Sequence, residues 1–300
     1  MRNSCATLCP GKLLIEWGER RRWKDYFKSL QKLAGQLNIP FVMLVAPSKE
    51  TVYPHLYPYP KARVTTTEQL LGLLPKDFPL LFPINELRAA PKRSFRVTDT
   101  HWSVHGAALA AMLSAEKLGV APAAIAALFA QDAFYQKQMV GDLGNKVFPP
   151  TRHDEDVLAS YSYRKFIEYD NQLPNFGRVL VIRNPAALVK GHLLILGSSS
   201  AYSMLDYLSR IYLCVTLVHT AGNIDVGLVK QIAPDYLLTQ TNARFVVKAP
   251  TLDYSLVASI AEKLSDLPDK YRMLTVENLE QAAHPIPVLH QYYQLGLQQL

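Results

Sequence analysis

Hydrophobic residues recur along this chain at two spacings, one typical of amphipathic helices and one typical of buried strands. Residues 23–37 carry apolar side chains at helical spacing, Asn38 and Pro40 end that pattern, and the run Phe41–Ala46 is apolar throughout. The alternation continues and predicts helices over residues 106–118, 123–130, 226–231 and 252–264 and after Gly197, and strands over residues 179–182, 192–196, 213–218 and 236–239.

Apolar strands that alternate with helices are typical of a parallel sheet covered on both faces. We therefore expect an α/β fold, a three-layer α/β/α sandwich with a mainly parallel sheet. The expected domain spans residues 23–267, after an N-terminal segment 1–22 and before a C-terminal tail 268–300. Within the domain, polar and turn-rich residues 131–177 predict an insertion or lid, and the proline-rich residues 47–67 predict a long loop.

The composition of the chain argues against a membrane-spanning, an exported or a disulfide-stabilised protein. The chain has 300 residues, 49% of them hydrophobic, and no apolar run approaches the roughly 20 residues of a membrane span. The first residues lack the apolar run of a signal peptide, so the sequence as given predicts no export. Cys5, Cys9 and Cys214 exclude a disulfide framework, although a Cys5–Cys9 link stays open.

A carboxylate and an imidazole stand close together before a predicted helix. Asp99 and His101 are two residues apart, so both side chains point to one side if the segment is extended. A carboxylate beside an imidazole fixes its tautomer and stabilises its charged form, as a general base requires. A solvated turn or a helix cap is the alternative.

A cluster of serines follows a predicted strand. The strand ends at Gly197, three serines come next, and a helix begins. This order places a serine at the carboxyl edge of the sheet, where active sites of α/β proteins gather. We expect Gly197 to permit the tight turn and the free N–H groups of the first helical turn to receive an oxyanion. The alternative is that a serine only caps the helix.

Taken together, the two segments resemble the SGNH-hydrolase-like proteins of polysaccharide O-acetylation, which include the alginate O-acetyltransferases. The resemblance rests on residues 98–102 (TDTHW) with Gly106 and Ala107, and on residues 197–199 (GSS). Further similarity lies in VAPSKETVYP at 45–54, GDLG at 141–144 and IAPDYLL at 232–238, which leads to Arg244. The Asp-x-His pair precedes the serine, so the motif order is permuted relative to ordinary SGNH esterases.

The resemblance implies a role for each residue of a triad. Ser199 takes the third place of the family's G-x-S turn and would be the nucleophile, His101 its base and Asp99 the orienting carboxylate. Ser198 stands where many esterases of the superfamily have Asp, which casts doubt on efficient simple ester hydrolysis.

Four further residues are candidates for binding the substrate or the oxyanion. The backbone N–H of Ser199 would bind the oxyanion together with a second donor. Asn223 is one candidate for that donor, and the alternative is that Asn223 is an ordinary turn residue. Trp102 either forms a wall of the acceptor site or is buried at the start of a helix. Arg244 follows Gln240, which replaces an acidic residue often found in relatives. Gly197, at the end of the predicted strand, is the fourth candidate for this binding site.

The resemblance implies a serine-dependent O-acetyltransferase or acetylesterase that acts on a polysaccharide or other glycan through an acetyl-serine intermediate. It requires no metal and no organic cofactor. The family usually works outside the cytoplasm, in the periplasm or beyond, and a membrane-bound acyltransferase would supply the acetyl donor.

Two other functions stay open. A metal-dependent hydrolase would use Asp99, His101 and His105, because histidines four apart share a helical face. A catalytically degenerate carbohydrate-binding protein would use the net charge of +7 to bind an anionic glycan. Its basic clusters are Arg20, Arg21, Arg22 and Lys24, and Lys92, Arg93 and Arg96. No motif for binding nucleic acid accompanies this charge, so nucleic acid is not an expected partner.

Overall fold

The computed structural model describes residues 14–59, 64–268 and 286–299, so the open Cys5–Cys9 link lies outside the described residues. The helices are α1 (Trp17–Leu37), α2 (Lys49–Val52), α3 (Thr66–Leu71), α4 (Ile84–Ala89), α5 (Val104–Lys117), α6 (Pro122–Phe129), α7 (Ser199–Ile211), α8 (Val226–Ile232), α9 (Leu256–Asp266) and α10 (Pro287–Gln298). The strands are β1 (Phe41–Ala46), β2 (Leu80–Leu81), β3 (Phe134–Met139), β4 (His153–Leu158), β5 (Ile167–Asp170), β6 (Val179–Arg183), β7 (Val189–Gly197), β8 (Tyr212–His219) and β9 (Tyr236–Asn242).

A mainly parallel sheet forms the centre of the molecule, as expected from the apolar runs. Its strand order is β2-β1-β9-β7-β8-β6-β5. The first five strands in this order pair in parallel, whereas β6 pairs antiparallel with β8, and β5 with β6. Because β1, β9 and β7 are parallel neighbours, their carboxyl ends meet at one edge of the sheet.

Both faces of the sheet are covered, which completes the three-layer sandwich. Successive side chains of a strand point to opposite faces, so Met43 and Val45 of β1 enter one core while Val42 and Leu44 enter the other. The first core contains side chains of α1, α8, α9 and α10, and the second contains side chains of α5 and α7. Helices α5 and α7 therefore lie on the same face, where they pack against each other.

Short helices lie in the segment predicted as a long loop. Residues 47–67 contain α2, a 3₁₀ turn at Pro54–Leu56 and the start of α3. Helix α3 begins with a capping box, in which Thr65 accepts from the N–H of Glu68 while the Glu68 side chain accepts from the N–H of Thr65. The loop prediction was wrong here because helices of one or two turns carry too few residues to show a period.

Residues 131–177 hold more regular structure than their polar sequence indicated. Strands β3 and β4 form an antiparallel hairpin separate from the main sheet, and β5 is an edge strand of that sheet. The side chains of β3 are almost all exposed, so the hairpin has no apolar face that the sequence could reveal.

Helices also occur in the two segments expected to flank the domain. Helix α1 begins at Trp17, inside the segment taken as 1–22, and α10 lies within the tail taken as 268–300 and packs against α9. Of the helices that the structure describes, none combines the length and apolar character needed to cross a membrane.

Candidate functional site

Lys49 fixes the segment that carries Asp99 and His101 at the carboxyl end of β1. It is the first residue of α2, just beyond that strand. Its ammonium group donates to the backbone carbonyls of Arg96, Val97 and Asp99 at 2.6, 2.7 and 3.2 Å. Burial lowers the pKa of Lys49, and the neighbouring Arg93 lowers it further. The sequence pattern VAPSKETVYP contained this lysine, but only the fold shows what it binds.

Asp99 and His101 form a hydrogen-bonded pair. Oδ1 of Asp99 lies 2.7 Å from Nδ1 of the imidazole and also accepts from the backbone N–H of His101 at 2.9 Å. Because a carboxylate only accepts, Nδ1 carries the proton, and Nε2 is left to accept one. Burial alone would raise the pKa of Asp99, but the hydrogen bonds from His101 outweigh it and hold this pKa well below its usual range. Asp99 thus orients the His101 ring and leaves Nε2 as its acceptor nitrogen.

A loop between β3 and β4 supports this pair from the other side. Oδ1 of Asp142 accepts from the backbone N–H of Thr100 at 2.7 Å, and Oδ2 accepts from the Thr100 hydroxyl. A Cβ atom at Gly141 would lie 2.1 Å from the carbonyl oxygen of Thr98 and 2.5 Å from Cβ of Asp99, so only glycine fits there. Asp142 was not among the predicted site residues, although the GDLG pattern that contains it was noted.

The three serines have different partners. Ser198 binds Gln240 through its N–H at 2.7 Å and its hydroxyl at 2.8 Å. The hydroxyl of Ser200 donates to Oδ1 of Asn242 at 2.8 Å. Within the described part of the chain, the hydroxyl of Ser199 makes no hydrogen bond, and this residue is half-buried at the first position of α7. Ser199 thus differs from its two neighbours in having an unbound hydroxyl among the described residues, and its role as the nucleophile stays a prediction.

Gly197 serves a different purpose from the expected one. We expected a tight turn that needs glycine, but Gly197 is the last residue of β7 and does not adopt a left-handed backbone. A Cβ atom at this position would lie 2.9 Å from Cβ of Ala201 and 3.2 Å from Cγ2 of Ile195. Glycine is therefore required because α7 approaches the strand closely.

Ser199 and His101 reach the same edge of the sheet by separate routes. Ser199 follows β7, and His101 lies three residues before α5 on a segment fixed to the end of β1. Strands β1 and β7 both flank β9, so their ends are about 10 Å apart at the usual strand spacing. No hydrogen bond joins the Ser199 hydroxyl to the imidazole among the described residues. Catalytic hydrogen bonds are often loose before substrate binds.

Three candidate binding residues have other surroundings. Trp102 is only 2% exposed and packs in the core with α5 and α7, which excludes the acceptor wall and leaves the buried role. The Asn223 side chain donates to the carbonyl of Thr220 and accepts from the N–H of Thr251, so its amide holds a turn, and its role as an oxyanion donor stays a prediction. Arg244 is exposed, and its guanidinium lies 4.9 Å from the ring centroid of Phe245.

The histidine proposed as a third metal ligand lies in another cluster. Nε2 of His105 is 2.7 Å from Oδ2 of Asp156, and its ring packs on Phe134. In the described residues, the group with ligand atoms close enough for one metal ion is Asp99, His101 and Asp142, whose atoms lie within 4.8 Å of one another. The metal hypothesis built on His105 is wrong because Asp156 of β4 holds this ring.

Comparison with known proteins gives matches among solved structures only. No family model matches the sequence, and no curated protein matches it. PatB1 of Bacillus cereus, solved with a sulfonyl adduct, superposes with a TM-score of 0.61 at 14% identity, over 79% of this chain and 92% of that one. A DHHW family protein from Eubacterium siraeum gives 0.53 at 12% identity, over 80% of this chain and 92% of that one.

A third match is the O-acetyltransferase domain of Pseudomonas putida AlgJ, with a TM-score of 0.48 at 15% identity over 87% of this chain and 92% of that one. At these identities a structural likeness shows the fold alone. The superposition on PatB1 and on the DHHW family protein therefore confirms the expected α/β/α fold.

Proposed function

We propose that this protein is a serine-dependent O-acetyltransferase or acetylesterase that acts on a glycan through an acetyl-serine intermediate. One observation carries the proposal: within the described residues, neither Nε2 of the imidazole that Asp99 orients nor the Ser199 hydroxyl makes a hydrogen bond, and the segments that carry them lie at the same edge of the sheet. These are the components of a nucleophile and its base.

The reaction follows from these groups in two transfers. Nε2 of His101 takes the Ser199 hydroxyl proton while Oγ attacks the acetyl carbonyl, and the donor's alcohol or thiol leaves with that proton. An acceptor hydroxyl then loses its proton to Nε2 and attacks the acetyl-serine, and the proton returns to Oγ as the ester bond to Ser199 breaks. With water as acceptor, the same steps give hydrolysis.

The acceptor and the location come from the resemblance. We propose a glycan acceptor, with acetyl groups supplied by a membrane-bound acyltransferase. For the location, the resemblance implies an extracytoplasmic or periplasmic site of action, whereas the missing signal peptide predicts the cytoplasm for the sequence as given. The charge argument for an anionic glycan is weaker in the structure than in the sequence, because Arg22 pairs with Glu19, and Arg93 pairs with Glu155 at 2.7 Å.

Covalent trapping tests the proposal. A serine-reactive phosphonate should label the protein at Ser199, found by mass spectrometry of peptides, and Ser199→Ala and His101→Ala should each lose the label. Ser203→Ala, one turn along the same helix, is the matched control and should label at the wild-type rate. Labelling of another residue, or equal labelling of His101→Ala, contradicts the triad, and glycan binding without any labelling favours the degenerate binding protein.

One observation favours a second candidate function. Asp99, His101 and Asp142 could hold a metal ion, as in a metal-dependent hydrolase. Both oxygens of Asp142, however, already accept hydrogen bonds from Thr100. Acetyl ester hydrolysis that is lost with a chelator and restored by a divalent metal would support the metal reaction over the serine reaction.

A further inference from the structure

The residue before α7 is placed to cap the helix but does not cap it. Ser198 has extended backbone angles, φ −124° and ψ −167°, as an N-cap residue does. A serine here normally accepts a hydrogen bond from the N–H of the second or third helical residue, which are Ser200 and Ala201. The Ser198 side chain makes no such bond.

The Ser198 hydroxyl is instead bound by Gln240. This side chain of β9 is fully buried, and its Oε1 accepts from both the N–H and the hydroxyl of Ser198. An N–H can only donate, so the atom that faces it must be the amide oxygen. The amide nitrogen in turn donates to Oδ1 of Asn242 at 3.0 Å, and the same oxygen accepts from Ser200. The amide orientation of Gln240 is thereby fixed from both ends.

This arrangement leaves donors open at the start of α7. The N–H of Ala201 bonds to the carbonyl of Ser198 at 3.0 Å. Neither the N–H of Ser199 nor that of Ser200 makes a hydrogen bond to any residue in the described ranges. Open N–H groups at a helix N-terminus beside a nucleophile are the donors that an oxyanion requires.

We infer that Gln240 is a positioning residue that holds the Ser198 hydroxyl away from the helix N-terminus and so keeps the N–H group of Ser200 open, beside that of Ser199, for the oxyanion. This inference rests on the proposed function. The acceptor that Gln240 offers is uncharged, so it places no buried negative charge near the developing oxyanion. Without it, the Ser198 hydroxyl is free to cap α7 and to occupy the N–H of Ser200, one of the two donors that the reaction uses.

Three variants test the inference through kcat on an acetyl ester and through the rate of phosphonate labelling at Ser199. Gln240→Met should lower both by about 100-fold with little change in KM, because oxyanion donors act on the transition state. Ser198→Ala should stay within about threefold of the wild type, since its hydroxyl is held outside the reaction. The double variant should recover at least about tenfold over Gln240→Met, because no hydroxyl remains to cap the helix.

The double variant separates positioning from a merely structural role. If Gln240 only stabilises the fold, removing a second hydrogen-bonding group cannot restore kcat, and a double variant no faster than Gln240→Met overturns the inference. A loss of more than tenfold in Ser198→Ala alone also overturns it, even where Gln240→Met fails to fold. If the wild type is not labelled at Ser199, the proposed function fails first, whereas normal labelling with the wrong pattern among the variants refutes the inference alone.

Discussion

The two halves of the candidate site are held by different kinds of groups. Charged side chains fix the half that carries His101: Lys49 donates to carbonyls of the segment, Asp142 binds Thr100, and Asp99 orients the ring. Neutral amides fix the half that carries Ser199, through Gln240 and Asn242.

The difference matches the charge that each half would stabilise in the proposed reaction. A base that takes a proton becomes an imidazolium, which a neighbouring carboxylate favours. A carbonyl under attack becomes an oxyanion, which a neighbouring carboxylate would oppose. The helices that begin beside the two halves also differ, in their N-terminal caps. Ser103 caps α5 by accepting from the N–H of Gly106, whereas Ser198 leaves α7 without a side-chain cap.

Removing the charge from the His101 half should have the largest effect. In Asp99→Asn, the carbonyl oxygen of the amide can still accept from the backbone N–H of His101, so the fold should persist. The amide cannot stabilise the imidazolium, and its N–H₂ group favours the wrong tautomer of the ring. We expect kcat to fall by about 10³- to 10⁴-fold, measured on an acetyl ester. A loss below tenfold would show that the charge is not needed.

Displacing the loop that supports this half should have the next largest effect. The methyl group of Gly141→Ala would overlap the carbonyl oxygen of Thr98, so the segment with Asp99 must shift. We expect a free energy of unfolding lower by about 1–3 kcal/mol and kcat lower by about 100-fold. Gly35→Ala in α1 is the matched control, because a Cβ atom there contacts nothing within 4 Å, and its activity should not change. Equal activity of both variants would contradict a role for the loop in placing Asp99.

Lowering the pH should first reduce the free energy of unfolding through His219, which lies next to the Ser199 half of the site, and only later through Asp99 in the His101 half. This is the smallest of these effects. His219 lies beside Gly197 in the sheet and is 5% exposed, with Tyr202 against its ring and Arg178 nearby. Burial, together with the charge of Arg178, lowers the pKa of His219 to about 4. An unfolded histidine titrates near pH 6.5, so only the unfolded chain takes up this proton between about pH 6.5 and pH 4.

The free energy of unfolding should therefore fall as pH falls through that window, by up to about 1.4 kcal/mol per pH unit for one histidine. Urea unfolding at several pH values should show a shallower slope for His219→Gln, though not a flat one, because burial lowers the pKa of His192 to about 4 as well. Asp99→Asn should keep the wild-type slope down to about pH 5, since an unfolded aspartate begins to take up a proton only below that pH, while the lowered pKa of Asp99 keeps the folded carboxylate charged. An unchanged slope in His219→Gln would contradict the buried neutral state.

Much of the architecture could be predicted from local pattern. Strand β1 has the predicted bounds, and β6, β7, β8 and β9 extend their predicted runs by a few residues. Helix α5 begins two residues before the pattern and ends before Gly119, whose φ of +91° suits glycine. The exposed hairpin β3–β4 and the short helix α2 escaped prediction, because neither has a long buried face and the period of a short or exposed element is not visible.

Part of the site could also be read from the sequence. Asp99, His101 and Ser199 stand out because their residue types occur at a strand end or before a helix, and the structure confirms the hydrogen bond between the first two. The catalytic role of the three stays a prediction. Trp102 could not be decided, because an indole suits a sugar wall and a core equally well until its exposure is known.

The sequence by itself determined the alternation of strands and helices and the expected parallel sheet, because these depend on residue types and spacings within a few turns of chain. The choice of Ser199 and His101 as candidate nucleophile and base came from the family resemblance of the two segments. Only the tertiary structure decided what Lys49, Asp142 and Gln240 bind, and each contacts a segment about 40 or 50 residues away. The contact of Gln240 forms because neighbouring parallel strands bring distant carboxyl ends to one edge of the sheet, whereas Lys49 and Asp142 reach the His101 segment from α2 and from a hairpin loop. No local period records which segments will meet.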